Sequence, residues 1–202
     1  GILFGTPISY FCFYFSDLII GSFFMRGAFN EEDLYLSAGI LSALSLGIMA
    51  NILFRSIMVY YFSNLDTVKP FKLYVVSFFI NLILLFILRD LFDLVGIAYA
   101  YVISIWLFLI LILLNLLFQK VIIFSRNLIY FFIKYNIFSL LMILFQILIV
   151  NFYGLYEINF LNMSILICVG SIIYLLVIFL FDRVTLDFFF YQIFKINLNE
   201  HK

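Results

Sequence analysis

The chain has 202 residues, with eleven basic and eleven acidic side chains and a formal net charge of zero. It is 67% hydrophobic and only 11% charged, and its mean hydropathy is +1.26. A soluble domain is nearer half apolar and a quarter charged, so these figures exclude a water-soluble globule, and the balanced charge offers no footprint for nucleic acid.

A spanning helix needs about 20 mostly apolar residues. Six segments qualify, roughly 2–25, 34–62, 71–89, 95–117, 129–152 and 160–181. The breaks between them are polar or turn-like, and the period-two alternation of a membrane barrel is absent. The expectation is an all-α integral membrane protein with six transmembrane helices in a single polytopic domain over 1–202, without a soluble module. Gly1 already lies in an apolar run with no basic leader or cleavage site, so no signal peptide is expected. The chain reads as the C-terminal part of something longer.

In the first span, Asp17 lies about 12 Å along a continuous helix from the outer end near Met25, at 1.5 Å per residue. That depth is out of reach of the headgroups. The carboxylate is expected either to line a cavity or to make an interhelical contact. "MRGAF" follows, where Gly27 permits a turn and Arg26 reaches water, and Asn30 to Asp33 can cap the next helix. The second span carries Gly39, Ala43 and Gly47, then Asn51 and Arg55. The small residues admit a neighbouring helix, and Arg55 either snorkels or meets an anionic headgroup. In "LDTVKPF", Asp66 or Thr67 can cap the third span while Pro70 fits its first turn. Asn81 and Ser104 lie mid-span, available for bonds across helices or for holding a cation. Trp106 is also mid-span and does not fit an interfacial belt. Cys12 and Cys168 read as small buried hydrophobes.

Cations set the orientation. Lys69, Lys72, Lys120, Arg126, Lys134, Arg183, Lys195 and Lys202 fall on one side, against Arg26 and Arg89 on the other. The first side is therefore expected in the cytoplasm, with both ends of the segment inside. No catalytic constellation is present. The single histidine, His201, lies in a polar tail, and there is no phosphate loop, nucleophile elbow or metal-ligand spacing.

Several motifs fall in a recognisable order: Pro7, Asp17, "RGAF" at 26–29, Asp33, "YYFSNLDTVKP" ending at Pro70, Asn81 and "GIAYA" beginning at Gly96. This series resembles the MurJ/MviN-type lipid II flippases of the MOP flippase superfamily. The resemblance implies helices nine to fourteen of a fourteen-helix transporter whose N-terminal lobe lies outside this chain. It implies alternating-access transport of an undecaprenyl-linked peptidoglycan precursor across the bacterial inner membrane, without covalent chemistry. It calls for no cofactor and leaves a coupling cation unassigned. The implied partners are the lipid substrate, membrane lipids and the missing lobe. Asp17, Arg55 and Asn81 are the cavity candidates. Arg26, Gly27, Asp33, Asp66, Thr67, Pro70 and Gly96 are the turn residues of the motifs. The sequence departs from the family pattern at Leu65, often Gly, at Asn64, often Arg, and at Leu85 and Tyr101. A related polysaccharide-lipid or multidrug exporter, and a non-transporting membrane fragment or assembly protein, are the alternative readings.

Overall fold

The structure, a computed structural model, describes residues 1–119, 126–154 and 157–183. Seven helical elements follow one another: α1 Ile2–Tyr14, α2 Ser16–Phe24, α3 Glu31–Ser45, α4 Ile48–Ser63, α5 Val68–Phe118, α6 Arg126–Tyr153 and α7 Phe160–Phe181. There is no strand among the described residues. An apolar helix satisfies its backbone internally, the condition for crossing hydrocarbon. Three elements are long and apolar enough to do so, or up to five if each bent pair is one span.

The expectation of a continuous first helix over 2–25 is corrected. α1 and α2 meet at 74°, with Phe15 in a non-helical conformation between them. Hydropathy reports the length of an apolar run and carries no signal for a bend within it. The polar pair Ser16-Asp17 becomes the first turn of α2, where the helix dipole favours a carboxylate. The 12 Å measured along one straight helix therefore does not give the depth of Asp17.

Upstream, Pro7 sits inside α1. Proline has no N–H to give the carbonyl four residues earlier, which is that of Leu3. The hydroxyl of Tyr174, from α7, donates to Leu3 O at 2.5 Å. The group freed by Pro7 thus becomes a tie between the first and last helices.

The second span, expected as one helix over 34–62, is also divided. α3 and α4 are bent by 40°. The ladder tightens at the break, where Leu46 N donates to Ala43 O and Gly47 N to Leu44 O, a three-residue spacing in place of four. Two carbonyls at this bend are held from outside. Ser9 Oγ donates to Ser45 O at 2.7 Å, and Trp106 Nε1 donates to Leu46 O at 2.9 Å. Trp106 thus has a defined partner at mid-chain, which explains its absence from a belt. The start of α3 is a reciprocal capping box: Asp33 N donates to Asn30 Oδ1, and Asn30 N to Asp33 Oδ2.

α5 is 51 residues long. Straight, it would extend about 76 Å, more than twice the hydrocarbon thickness of about 30 Å. It is not straight. Phe92 and Asp93 leave helical geometry, Asp93 with φ of 50°. The chain turns back on itself there, so that Tyr74 packs on Phe108 and Ser77 Oγ donates to Ser104 O at 2.8 Å. Gly96 makes the tight fold possible, since a Cβ there would overlap the Leu88 carbonyl. The two arms, 68–91 and 94–118, correspond to the expected third and fourth spans.

The packing has two centres. α1, α2, α6 and α7 share a core that includes Leu18, Tyr135, Met142, Leu166 and Ile178. α4 and the second arm of α5 share another, with Tyr61, Phe108 and Ile112. α3 links them, packing on α1, α2 and α5. Small residues explain the close approach: a Cβ at Gly39 of α3 would lie 3.1 Å from Val95, and one at Gly47, at the bend after α3, would lie 3.2 Å from Val102. The first arm of α5 leaves Phe71, Phe79, Ile83 and Phe86 exposed, as does α7 at Leu180 and Phe181. Exposed apolar surface on this scale suits a bilayer solvent. Cys12 is half-buried, and Cys168 is exposed. The expectation that Cys168 is buried is corrected: it falls on the exposed side of α7, a helix that is apolar all round and so gives no sign in its sequence of which face is packed.

Candidate functional site

The polar groups inside so apolar a body are the places where function can lie. Asp17, exposed in the first turn of α2, lines a cavity of about 270 Å³ with Tyr14, Val150, Asn151 and Ile158. It makes no ion pair or hydrogen bond with the described residues. Arg55 is exposed on α4, likewise without an ion pair or hydrogen bond among them. Asn81 is half-buried on the first arm of α5 and donates through Nδ2 to Ser104 Oγ at 3.0 Å. Ser104 Oγ in turn donates to Ala100 O at 2.7 Å. Asn81 lines a smaller cavity of about 220 Å³ together with Tyr74, Tyr101 and Ser104. Asp17 and Asn81 therefore belong to different cavities, and the structure does not bring the sequence candidates into one cluster.

The motif residues occupy turns. Gly27 has φ of +68°, in the left-handed region, and Arg26 is exposed beside it. Asp66 accepts from Lys69 N at 3.3 Å and pairs with Lys69 Nζ at 2.8 Å. The bond from the Lys69 side chain holds the Asp66 carboxyl below the ordinary carboxylate range. Thr67 occupies the cap position of α5 without a capping side-chain bond. Of the two capping candidates, Asp66 does the work. Pro70 is buried in the first turn of α5, before its N–H would be needed. Leu65, where the family pattern often has Gly, has φ of 56° and is 91% exposed. The turn asks for a left-handed residue, and this chain meets it with a strained leucine.

Polar arrangements not read from the sequence include three on α6 and α7. At one end of α6 and α7, Lys134 Nζ pairs with Asp182 Oδ2 at 2.9 Å, and Tyr135 OH donates to the same oxygen at 2.8 Å. Lys134 had signified only topology, because its partner lies 48 residues away. Midway along the same pair, Gln146 Nε2 donates to Leu166 O at 2.8 Å. The third is the Tyr174–Leu3 tie, for which Pro7 was an available signal. Lys120, Lys195, Lys202 and His201 lie outside the described residues, as does the side chain of Arg126.

The family model described as "Lipid II flippase MurJ" matches residues 1–183. The chain belongs to the MurJ family. Among curated MurJ proteins, the "Probable lipid II flippase MurJ" of Rickettsia prowazekii (strain Madrid E) is 30% identical over 106 residues, 52% of this chain and 21% of that protein. A solved structure titled "Lipid II flippase MurJ, inward closed conformation" superposes with a TM-score of 0.79 at 24% identity, covering 92% of this chain and 37% of that one. At that identity the superposition shows the fold: this chain has the fold of one part of a MurJ protein. The chain thus spans about a fifth of the curated MurJ relative and over a third of the solved MurJ chain.

Proposed function

We propose that this chain is part of a lipid II flippase that moves an undecaprenyl-linked peptidoglycan precursor outward across the bacterial inner membrane. The match to the MurJ family along residues 1–183 carries this reading. The kink at Phe92–Asp93 supports six crossings, counting each bent pair as one span and the arms of α5 as two. This count suits helices nine to fourteen of the family, with the preceding lobe completing the transport path. Lys69, Lys72, Lys134 and Arg183 against Arg26 and Arg89 support cytoplasmic ends for the segment.

Transport in this reading involves no covalent step. The substrate shifts the balance between inward- and outward-open states by contacting them differently. Arg55, an exposed cation without a partner among the described residues, is available to a phosphate of the substrate. Asp17 lines a cavity at a bend, where a change in angle would alter its surroundings. Asn81 serves the cavity between the arms of α5 by holding Ser104 in place. Depleting the intact protein and following lipid II in the inner leaflet tests the assignment. Accumulation there is the expected result, and an unchanged distribution would refute the proposal.

A further inference from the structure

The two packing centres share no residue among those described. One belongs to α1, α2, α6 and α7, and α3 is fastened to this unit, because Ser9 of α1 donates to Ser45 O at its end. The other belongs to α4 and the α5 hairpin, which Tyr61 ties together by donating to Asn115 Oδ1 at 3.0 Å. Tyr101 adds a second tie within this unit, donating to Asn51 Oδ1 at 3.2 Å.

Where the two units meet, the close approaches fall on glycines. A Cβ at Gly5 of α1 would overlap Ile52 of α4. Gly39 and Gly47 lie in the same way against Val95 and Val102 of α5. Such contacts bring backbones together with one side offering no side chain to interlock. Beside them lies a cavity of about 220 Å³, with Met49 and Trp106 from one unit facing Tyr10, Phe13 and Phe132 from the other. Protein interiors hold few voids larger than a water molecule, so this one gives the units room to shift without overpacking.

The α3–α4 bend lies at this junction. Its two central residues, Leu46 (φ −64°, ψ −21°) and Gly47 (φ −85°, ψ −13°), keep right-handed dihedrals. Passing from the tight ladder to a regular one takes roughly 20–30° in a few torsions. Hinges are commonly a few residues at element ends that absorb such changes. Across the bend, Trp106 of α5 donates to Leu46 O at 2.9 Å, a bond between one unit and the end of the other's helix.

We propose that the α3–α4 bend is a hinge about which α4 and the α5 hairpin swing against α1, α2, α3, α6 and α7, with the Trp106 indole as the latch of the bent state. The motion lies within this chain and does not depend on which substrate the protein moves.

The test measures distances by double electron–electron resonance on the intact protein in lipid nanodiscs, with its own cysteines replaced. One labelled pair, Val59→Cys with Ile133→Cys, joins α4 to α6 across the hinge. The other, Val59→Cys with Ile110→Cys, stays within α4 and α5. All three positions are exposed. The pair across the hinge should show two distances in otherwise unmodified protein, and the pair within the unit one. Trp106→Phe keeps a ring and removes the donor. It should shift the ratio of the two distances roughly three- to tenfold toward the minor one, the factor a single neutral hydrogen bond is worth. The comparison of the two pairs in protein that keeps Trp106 does not depend on that variant folding. A rocking of the whole segment as one body leaves both pairs at single distances, and that result overturns the proposal. A split in both pairs, or a ratio that Trp106→Phe leaves unchanged, overturns it as well.

Discussion

At the scale of single residues, backbone demands explain several side chains better than chemistry does. Leu65 occupies a left-handed turn at roughly 1–2 kcal/mol, against about 0.5–1 kcal/mol of chain entropy for a glycine. Leu65→Gly should therefore raise stability by up to about 1.5 kcal/mol, measured as the thermal midpoint of the purified intact protein; a loss would show that the leucine makes a contact worth more than its strain. Its neighbour Asp66 gives a pH signature. Its carboxyl is held below the ordinary range by Lys69, so the pair contributes fully above the usual Asp value, about 3.9. The contribution fades as pH falls through the lowered folded value. Protection at the start of α5, taken relative to intrinsic amide exchange at the same pH, should fall in that acidic window, and Asp66→Asn should remove the step. Tyr174 and Pro7 are coupled through Leu3. Tyr174→Phe should cost about 1–3 kcal/mol by orphaning a buried carbonyl. The cost should shrink in a Pro7→Ala background, where a backbone N–H is restored to that carbonyl. Equal costs in both backgrounds would mean that the tie does not arise from the proline.

At the scale of elements, the bends are specified by contacts far away in sequence. The α5 hairpin depends on Gly96, where an added Cβ meets backbone that cannot yield. Gly96→Ala should cost about 1–3 kcal/mol as overpacking. Gly39→Ala, facing the side chain of Val95 at 3.1 Å, should cost distinctly less. Thermal unfolding of the two variants side by side checks the order, and equal losses would mean that the arms do not approach at Gly96. The α3–α4 bend has its own reporter, because Trp106 is the sole tryptophan of the chain. The elements themselves were largely legible, since the apolar runs fall on the helical elements α1 to α7. The polar caps were also legible: Asn30 and Asp33 form the box that their types suggest. The breaks at Phe15 and Leu46 were not, because hydropathy reports composition along a line and both breaks lie within apolar runs. The partners that hold the second break, Ser9 and Trp106, are distant in sequence and show no local pattern.

At the scale of the whole molecule, an apolar body carries a few polar fixtures, each sited where two helices meet. The ordered motifs from Pro7 to Gly96 made the family legible, and several of them, at Gly27, Asp33 and Asp66, mark turns or helix starts. The transport path was less legible. Asp17, Arg55 and Asn81 read as candidates for the cavity; within this chain Asp17 and Asn81 line different pockets. Lys134 and Gln146 were overlooked because their importance depends on α7, which contributes Asp182 and Leu166. The central claim is that the protein containing this chain translocates lipid II and that Arg55 serves that path. Its most direct test is flipping of fluorescent lipid II by the intact protein in proteoliposomes, comparing unmodified protein with Arg55→Ala and Arg55→Lys. The account predicts translocation by the unmodified protein, a fall of about tenfold in Arg55→Ala, the loss of one charge-assisted contact, and partial recovery in Arg55→Lys. Lipid II remaining in its original leaflet with unmodified, folded protein would contradict it.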